Sequence, residues 1–223
     1  AVEAAGGGSI PSQTVGVAFN IRVTAQDQFD NTATAFTGTV NLTSNRAPNA
    51  LGASAAFTSG VLASHAVTLT ESGLGSTITA TRAGGAETGT SVGCTVIAGP
   101  LHHFLVEAAG GGAIGAQVAG APFSVRITAQ DAGNNTVVAF TGTVNVTSNR
   151  TGSAGLTQSA AFTGGVLASH SITLTEPGAA STISVQNSAG AETGTSAGFT
   201  VSPGAVDHFV VEAAAGGVIA TQT

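Results

Sequence analysis

The chain repeats itself with a period of just over one hundred residues, and this repeat limits the possible folds more than any other feature of the sequence. Residues 2–8 recur as residues 106–112, and residues 60–65 recur as residues 165–170. The separation grows from 104 to 105 through a one-residue insertion that follows Arg150. This period is too long for a solenoid coil or a propeller blade, and it matches the size of one autonomous β-sandwich domain.

The repeat divides the chain into two units and the start of a third. We predict a first domain over residues 1–100, with a truncated first strand, and a second domain over residues 101–204. Residues 205–223 begin a third repeat. Only a few residues, with a proline among them, join one unit to the next, and such linkers restrict the relative orientation of domains.

Within unit two, apolar and polar residues alternate with a period of two, which is typical of strands with one buried face. Phe123, Val125 and Ile127 alternate with Ser124 and Arg126. The same alternation recurs at residues 144–147, 171–175, 182–185 and 199–202 and, in the third repeat, at residues 209–211. Clusters of turn-forming residues separate these runs. The pattern predicts an all-β fold of tandem immunoglobulin-like (Ig-like) β-sandwich domains joined by short linkers.

The composition excludes several classes of function. Only 7% of the residues are charged, the net charge is −6, and there is no lysine, so the chain has no basic patch for nucleic-acid phosphates. The longest apolar stretch is interrupted by His, Glu and Gln, so we expect no membrane span in this segment. A single cysteine, Cys94, rules out an internal disulfide framework.

The polar faces of the predicted strands carry Thr and Ser in place of charged residues. Natural sheets usually protect their exposed edges with charge, and soluble monomers keep charge on their surface. Three explanations are open: lateral packing of units into a filament or layer, sugars on the hydroxyl-rich faces, or a rod of low charge. We favour the first two and expect self-association with copies of the same protein.

Two regions of unit two carry a resemblance to a known family. Residues 123–131 read FSVRITAQD, and residues 135–144 read NTVVAFTGTV. Residues 172–176 and 181–185 read ITLTE and STISV. These runs resemble the tandem bacterial Ig-like (Big-type) repeats of large prokaryotic surface and adhesin proteins, and the resemblance covers both units almost completely. It implies cell-surface or secreted arrays that act as spacers, adhesion stalks or structural fibres.

Three functions are consistent with these features. The leading hypothesis is a structural extracellular repeat protein that forms a fibre, sheath or filament at the cell surface. The second is a non-catalytic adhesin stalk that presents a distal binding head. The third is an array of carbohydrate-binding modules for surface glycans, although the chain lacks the Trp and Tyr that stack on sugars. No nucleophile elbow or acid–base pair stands out, so we do not expect an enzyme.

Calcium is the only cofactor for which the sequence offers candidate ligands. Asp27, Asp30 and Asp131 lie in predicted turns, and calcium requires six to eight oxygen ligands with several carboxylates among them. There is no dense acidic loop, and Asp30 is replaced by Asn134 in unit two. The alternative is that these side chains accept hydrogen bonds from the backbone of their own turns.

Four Asn-x-Ser/Thr sequons are candidate glycosylation sites: Asn41, Asn134, Asn145 and Asn149. Asn41 and Asn145 are equivalent and lie on the polar face of one predicted strand. The histidines do not form a set with zinc-ligand spacing, and their alternative role is packing at strand ends and linkers. Cys94 aligns with Phe199, so we interpret it as a small buried apolar residue.

Overall fold

The computed structural model of the chain describes residues 1–214 and 216–218, and its regular secondary structure consists entirely of strands. This confirms the predicted all-β class. Helices that are long and apolar enough to cross a membrane are absent from these residues.

Unit one contains ten strands: β1 (Val2–Ala4), β2 (Gln13–Thr14), β3 (Phe19–Thr24), β4 (Val40–Ser44), β5 (Ala50–Ala53), β6 (Val61–Val67), β7 (Gly73–Ser76), β8 (Ile78–Arg82), β9 (Thr88–Thr90) and β10 (Cys94–Ile97). One sheet has the order β1-β3-β6. The opposite layer contains two sheets, with the orders β5-β4-β8-β9 and β2-β10-β7. The two sheets continue into each other because β8 follows β7 along the chain after a single residue. Two such layers form an Ig-like sandwich.

Unit two repeats this arrangement with β11 (His103–Ala108), β12 (Gln117–Val118), β13 (Pro122–Gln130), β14 (Val144–Ser148), β15 (Gly152–Ala154), β16 (Val166–Leu174), β17 (Gly178–Ser181), β18 (Ile183–Asn187), β19 (Thr193–Thr195) and β20 (Phe199–Ser202). The sheets have the orders β11-β13-β16-β15, β14-β18-β19 and β12-β20-β17. The alternating runs predicted in unit two correspond to β13, β14, β16, β18 and β20.

The buried apolar side chains fall into two clusters that share no member. The cluster of unit one includes Ile21, Leu42 and Ile78, and the cluster of unit two includes Ile127 and Ile183. Each of these residues is at most 1% exposed. Each repeat therefore buries its own core, as expected for domains of this length.

The two units differ in the segment that contains the one-residue insertion. In unit one, β5 pairs with β4, in the second layer. In unit two, the corresponding β15 pairs with β16, in the first layer. A short edge strand can change sheets because few hydrogen bonds hold it to either neighbour.

The strand predicted at residues 209–211 does not form within the described residues. Phe209 and Val211 are 87% and 80% exposed. The equivalent strand β11 is held by β13, and the counterpart of β13 in the third repeat is not among the 223 residues. The turn that follows does form, because its bond from Gly216 N–H to Ala213 C=O is local, like the one from Gly111 N–H to Ala108 C=O.

Buried serines complete the backbone hydrogen bonding where a core strand begins. Ser159 Oγ accepts a bond of 3.1 Å from the buried Val144 N–H and donates to Ala160 C=O. Ser54 Oγ accepts the equivalent bond of 3.0 Å from Val40 N–H in unit one. At this position the serine hydroxyl is the hydrogen-bond acceptor for a strand N–H that has no carbonyl partner in a neighbouring strand.

Ser159→Ala is expected to destabilise unit two by about 1–3 kcal/mol, because it leaves the buried Val144 N–H without an acceptor. Urea unfolding of the full chain measures the effect. Thr195→Ala is the control: its hydroxyl bonds to Ser184 on the exposed face, so stability should change by less than about 0.5 kcal/mol. Equal effects for the two variants would contradict the assigned role of Ser159.

Strand directions place particular loops at opposite ends of each unit. Because β11 and β13 are antiparallel, the loop after β13 lies beside the start of β11, which we call the upstream end. β1 is antiparallel to β3, and β3 to β6, so the loop after β6 lies at the opposite, downstream end. The downstream end of unit one therefore meets the upstream end of unit two at the linker.

Candidate functional site

The loop after β13 is organised by the carboxylate of Asp131. Asp131 Oδ1 accepts hydrogen bonds from Gly133 N–H at 2.8 Å and from Asn135 N–H at 2.9 Å. Between them, Asn134 has a φ of 64°, a conformation that Asn and Asp adopt more readily than most residues. The turn is therefore built by the short polar side chains that the sequence supplies at these positions.

The second oxygen of the same carboxylate reaches the linker. Gly99 N–H donates to Asp131 Oδ2 at 2.9 Å. The side chain of Asp131 is packed between its own loop and the linker, and the residue is only 2% exposed. A single carboxylate thus holds both the turn of unit two and the segment that leaves unit one.

Asn135 extends the contact to unit one itself. Its Nδ2 donates to Thr70 C=O at 3.1 Å, and its Oδ1 accepts a bond of 2.9 Å from Ser72 N–H. Nδ2 also lies 3.1 and 3.2 Å from the two carboxylate oxygens of Asp131. Asp131 and Asn135, with their partners Gly99, Thr70 and Ser72, form what we call the junction clasp.

The loop of unit one that receives Asn135 is held by a second polar cluster. Glu71 Oε2 accepts a bond of 3.0 Å from Ala47 N–H, and Glu71 Oε1 lies 3.4 Å from Arg46 Nη1. Arg46 Nη2 donates to Leu74 C=O at 2.8 Å. The Ala47 N–H and then the Arg46 guanidinium lower the pKa of Glu71. A surface ion pair contributes little stability, so we assign this cluster the role of positioning the Thr70 and Ser72 backbone.

The equivalent loop of unit one has the turn-forming bonds of the clasp but not its bonds to a neighbouring unit. Asp27 Oδ1 accepts bonds from Phe29 N–H at 2.8 Å and Asn31 N–H at 3.0 Å, as in unit two. Asp27 is exposed, because no unit precedes it in the 223 residues. The Asn31 side chain and these two N–H groups lower the pKa of Asp27.

The downstream end of unit two has a loop equivalent to the one that receives Asn135 in unit one. Glu176 accepts a bond of 3.0 Å from Thr151 N–H and lies 3.4 Å from Arg150, so the receiving loop is held as in unit one. Pro177 aligns with Ser72 and has no N–H. The downstream end of unit two therefore has the Thr175 carbonyl in place of that of Thr70 but no N–H donor in place of that of Ser72.

Asp131 is ionised in the clasp. Burial raises its pKa, but the hydrogen bonds from Gly99, Asn135 and Gly133 outweigh burial and hold the pKa below its ordinary value. The stabilised form is the carboxylate, which only accepts hydrogen bonds and matches a site that offers N–H donors on every side.

The structure places the three calcium candidates in two separate loops. Asp27 and Asp30 share the loop of unit one, where Asp30 has a φ of 62°, and Asp131 lies in the clasp. Within the described residues, no group of three or more His, Cys, Asp or Glu side chains is placed to hold a metal ion. Calcium binding stays a prediction, and the carboxylates have the turn-forming bonds that the alternative interpretation requires.

The candidate glycosylation sites differ in their surroundings. Asn41 and Asn145 are exposed on β4 and β14, and Asn134 is exposed at the tip of the clasp loop. Asn149 is engaged, because its Nδ2 donates to Ala180 C=O at 3.0 Å and its Oδ1 accepts from Thr182 N–H at 2.8 Å. Attachment of sugar at Asn149 would leave Nδ2 with one hydrogen for its bond to Ala180 C=O.

The remaining candidates have structural partners. Cys94 is 6% exposed within the core of unit one, and burial raises the pKa of its thiol. His170 lies 2.8 Å from Gly155 C=O, and His102 and His103 contact each other at 3.2 Å. His102 and His103 lie at the linker, as predicted, but the prediction of a strand-end position is wrong for His170, which lies in the middle of β16.

Sequence reasoning missed three members of the clasp, namely Gly99, Thr70 and Ser72. Each contributes a backbone group, so its side chain gives no signal. The available signal was the recurrence of Asp followed four residues later by Asn, at Asp27 and Asn31 and again at Asp131 and Asn135.

The fold and the clasp define a tandem Ig-like β-sandwich repeat protein. No family model matches the chain, and no curated protein is detectably similar in sequence, so membership of the Big-type family stays a prediction.

Several solved structures resemble the chain. Domains 4–9 of the surface layer protein SbsC match 92% of the chain with 20% identity and a TM-score of 0.30. Fibronectin(III)-like modules of Clostridium thermocellum CbhA match 96% of it with 12% identity and a TM-score of 0.27. A glycosyl hydrolase family 2 member from Bacteroides cellulosilyticus DSM 14838 matches 81% with 10% identity and a TM-score of 0.36. The chain spans 31%, 100% and 29% of these structures, respectively.

Proposed function

We propose that the chain is a structural segment of an extracellular, cell-surface repeat protein whose units are locked end to end and assemble into a fibre, sheath or filament. The observation that carries this proposal is the junction clasp. Its two side chains belong to unit two, and its other partners lie in the linker and in the last loops of unit one.

The clasp restrains the junction at two separate points. Gly99 is fixed within the linker, while Thr70 and Ser72 are fixed on the body of unit one. Rotation of unit two about the linker would break at least one of these bonds. Pro100 further limits the linker backbone. Two restraints of this kind favour a stiff spacer over a flexible string of domains.

The sides of the units support assembly with further copies. Cross-strand hydroxyl pairs occur on exposed faces, with Thr79 and Thr90 at 2.9 Å and Ser184 and Thr195 at 3.0 Å. These faces carry little charge that would repel a neighbouring copy. Neutral, hydroxyl-rich strands of this kind can pack against one another or carry sugars, and we propose lateral contacts between copies as the basis of the fibre.

Asn135→Ala is expected to release unit two from the body of unit one while leaving both cores intact. In small-angle X-ray scattering, the wild-type chain should have a maximum dimension of about 70 Å, from two sandwiches with strands of about 3.3 Å per residue. The variant should show a shorter mean dimension and a broader distribution. Asn31→Ala alters the same loop in unit one, where no clasp forms, and is the matched control.

Identical scattering from the wild type and Asn135→Ala would contradict a stiffening role for the clasp. Electron microscopy of concentrated wild-type chain tests the fibre itself. Ordered filaments with a repeat of one or two units are expected. Stiff rods that remain separate at every concentration would favour a stalk that presents a distal head.

A further inference from the structure

The two units differ in what covers the outer edge of one long strand. In unit two, β16 lies between β13 and β15, so both of its edges have a neighbouring strand. In unit one, the equivalent β6 is the last strand of the sheet β1-β3-β6, because β5 pairs with β4 in the other layer. Unit one therefore leaves the outer edge of β6 without a neighbouring strand.

The sequence explains why unit one does not cover this edge with its own chain. Thr70 N–H donates to Ala47 C=O at 2.8 Å, which ties the segment before β5 to the chain just after β6. The next residue is Pro48, whereas unit two has Gly152 at the equivalent position, where β15 begins. Proline has no N–H to donate to a ladder, so pairing along β6 does not continue beyond this point.

The uncovered edge presents the backbone groups of Ala66 and Thr68. Alternate residues of an antiparallel strand direct their N–H and C=O groups to the same neighbour. Because Thr70 N–H makes its bond on the outer side, the groups of Thr68 and Ala66 point to that side as well. Among the described residues, neither backbone group of Thr68 has a backbone partner. In unit two, the equivalent Thr173 is paired with Ala154 of β15.

Unit two shows what kind of segment this edge accepts. A Cβ at Gly155, just after β15, would collide with the Ser171 carbonyl and lie 2.9 Å from the Ile172 Cα. The backbone of the covering segment thus lies directly against the backbone of β16. A segment that covers β6 in the same way must be extended and must carry small side chains.

A second copy of β6 meets these requirements. Residues 61–69 read VLASHAVTL and contain none of the charged residues that usually protect an exposed edge. With seven residues, β6 is the longest strand at the end of a sheet in the described part of the chain. Two such edges are identical, and an antiparallel pair of them is closed by a two-fold axis.

We propose that β6 of one copy pairs antiparallel with β6 of a second copy, about a two-fold axis that passes beside Val67. Ala66 of each copy then lies opposite Thr68 of the other, and each such pair exchanges both of its N–H to C=O hydrogen bonds. The sheets of the two units join into one continuous sheet. The inference rests on the proposed assembly of copies and gives the lateral contact a defined edge.

The fold limits this ladder to residues 65–69. At one end, Ala47 already occupies the edge beside Thr70. At the other end, the pairing of β6 with β3 shifts between Ile21 and Val23, and such a bulge bends the strand away. A ladder of this length gives a weak contact in one pair of chains, and repetition along an array of units would strengthen it through multivalency.

Thr68→Pro tests the backbone bonds directly. It removes an N–H that points to the outer edge, so the substitution costs unit one no bond to β3. Sedimentation equilibrium of the 223-residue chain over a range of concentrations should show a monomer–dimer equilibrium for the wild type. Association of the variant should be weaker by about tenfold or more. Circular dichroism melting confirms that the variant is folded.

A pair of charge substitutions tests the register. The two Thr68 side chains are diagonal neighbours across the two-fold axis, about 7–8 Å apart, and so are the two Ala66 side chains. Thr68→Lys and Ala66→Glu should therefore each weaken dimers through repulsion of like charges. In an equimolar mixture of the two variants, the lysine of one copy lies directly opposite the glutamate of the other. The mixture should recover the association of the wild type, and added salt should reduce this recovery.

Thr173→Lys is the matched control for the charge substitutions. It makes the same change at the equivalent position of unit two, where β15 covers the edge. Its dimerisation should equal that of the wild type. A loss as large as that of Thr68→Lys would show that the added charge acts without regard to the edge, and would contradict the proposed contact.

Two further results would overturn the inference. One is a wild-type chain that stays monomeric at every concentration. The other is association that Thr68→Pro and Thr68→Lys leave unchanged, which would assign the contact to the hydroxyl-rich faces. Electron microscopy separates the inference from the proposed function. Filaments that form equally well from Thr68→Pro would remove the inference and leave the fibre, whereas dimers that depend on Thr68 without any filament would support the edge contact and contradict the fibre.

Discussion

Gly194→Ala is expected to destabilise unit two by about 3 kcal/mol, while Gly89→Ala leaves the stability of unit one unchanged. A Cβ at Gly89 would meet no atom within 4 Å. A Cβ at the equivalent Gly194 would collide with the Phe104 carbonyl and lie 2.8 Å from the Phe104 Cβ, both in strand β11. Backbone atoms cannot move aside as the end of a side chain can. β11 would therefore shift and withdraw the Phe104 ring from the core of unit two.

Urea unfolding of the two full-length variants measures this difference, with hydrogen exchange to assign the loss to one unit. Hydrogen exchange should become faster in β11, β19 and their neighbours in the Gly194→Ala variant. Equal destabilisation by both substitutions would contradict the assigned collision with β11.

The sequence predicts the long strands well because their alternation reflects a simple physical constraint. Val125, Ile127 and Ala129 point into the core, as their spacing indicates, and each has an exposed fraction of 0%. β2, β12 and β19 were not predicted. Each has only two or three residues, too few to show a period, and each forms because its partner strand is already in place.

The site was less accessible to sequence reasoning than the fold. Asp131 was identified as a turn residue, and its turn-forming bonds are present. Its burial depends on the neighbouring unit and on the Gly99 N–H, which no side-chain pattern reveals. The burial of two serines was equally hard to predict from the sequence. Ser54 and Ser159 are polar residues with 7% exposure, and they are buried because each accepts a bond from a strand amide.

Asp131→Ala is expected to lower the free energy of unfolding of unit two by about 2–3 kcal/mol and to uncouple it from unit one. The substitution removes the acceptor for Gly99, Gly133 and Asn135 at once, and these part-buried N–H groups lose a charged partner. Asp27→Ala is the matched control. It removes the same turn bonds from an exposed loop without a junction, so its effect should be smaller and should not change the coupling of the units.

Differential scanning calorimetry separates these outcomes. The wild-type chain should unfold with coupled transitions, and Asp131→Ala should resolve two transitions with that of unit two at the lower temperature. Asp27→Ala should keep the coupling. Equal shifts for the two variants would show that Asp131 acts only within its own turn.

Acid should open the junction through the same carboxylate. The pKa of Asp131 is lower in the folded chain than its ordinary value, so its stabilisation is complete above the unfolded-state pKa of about 3.9 and is lost as the pH falls through the folded-state pKa. Asp27 also has a lowered pKa, so Asp27→Asn serves as the background in which the junction is followed. In that background, coupling should begin to weaken as the pH falls below about 4 and should disappear as the pH falls through the lower folded-state pKa. Adding Asp131→Asn should remove this acid-induced loss of coupling, because an amide at this position has no proton to gain. A loss of the same size in the double variant would show that the acid-sensitive group lies elsewhere.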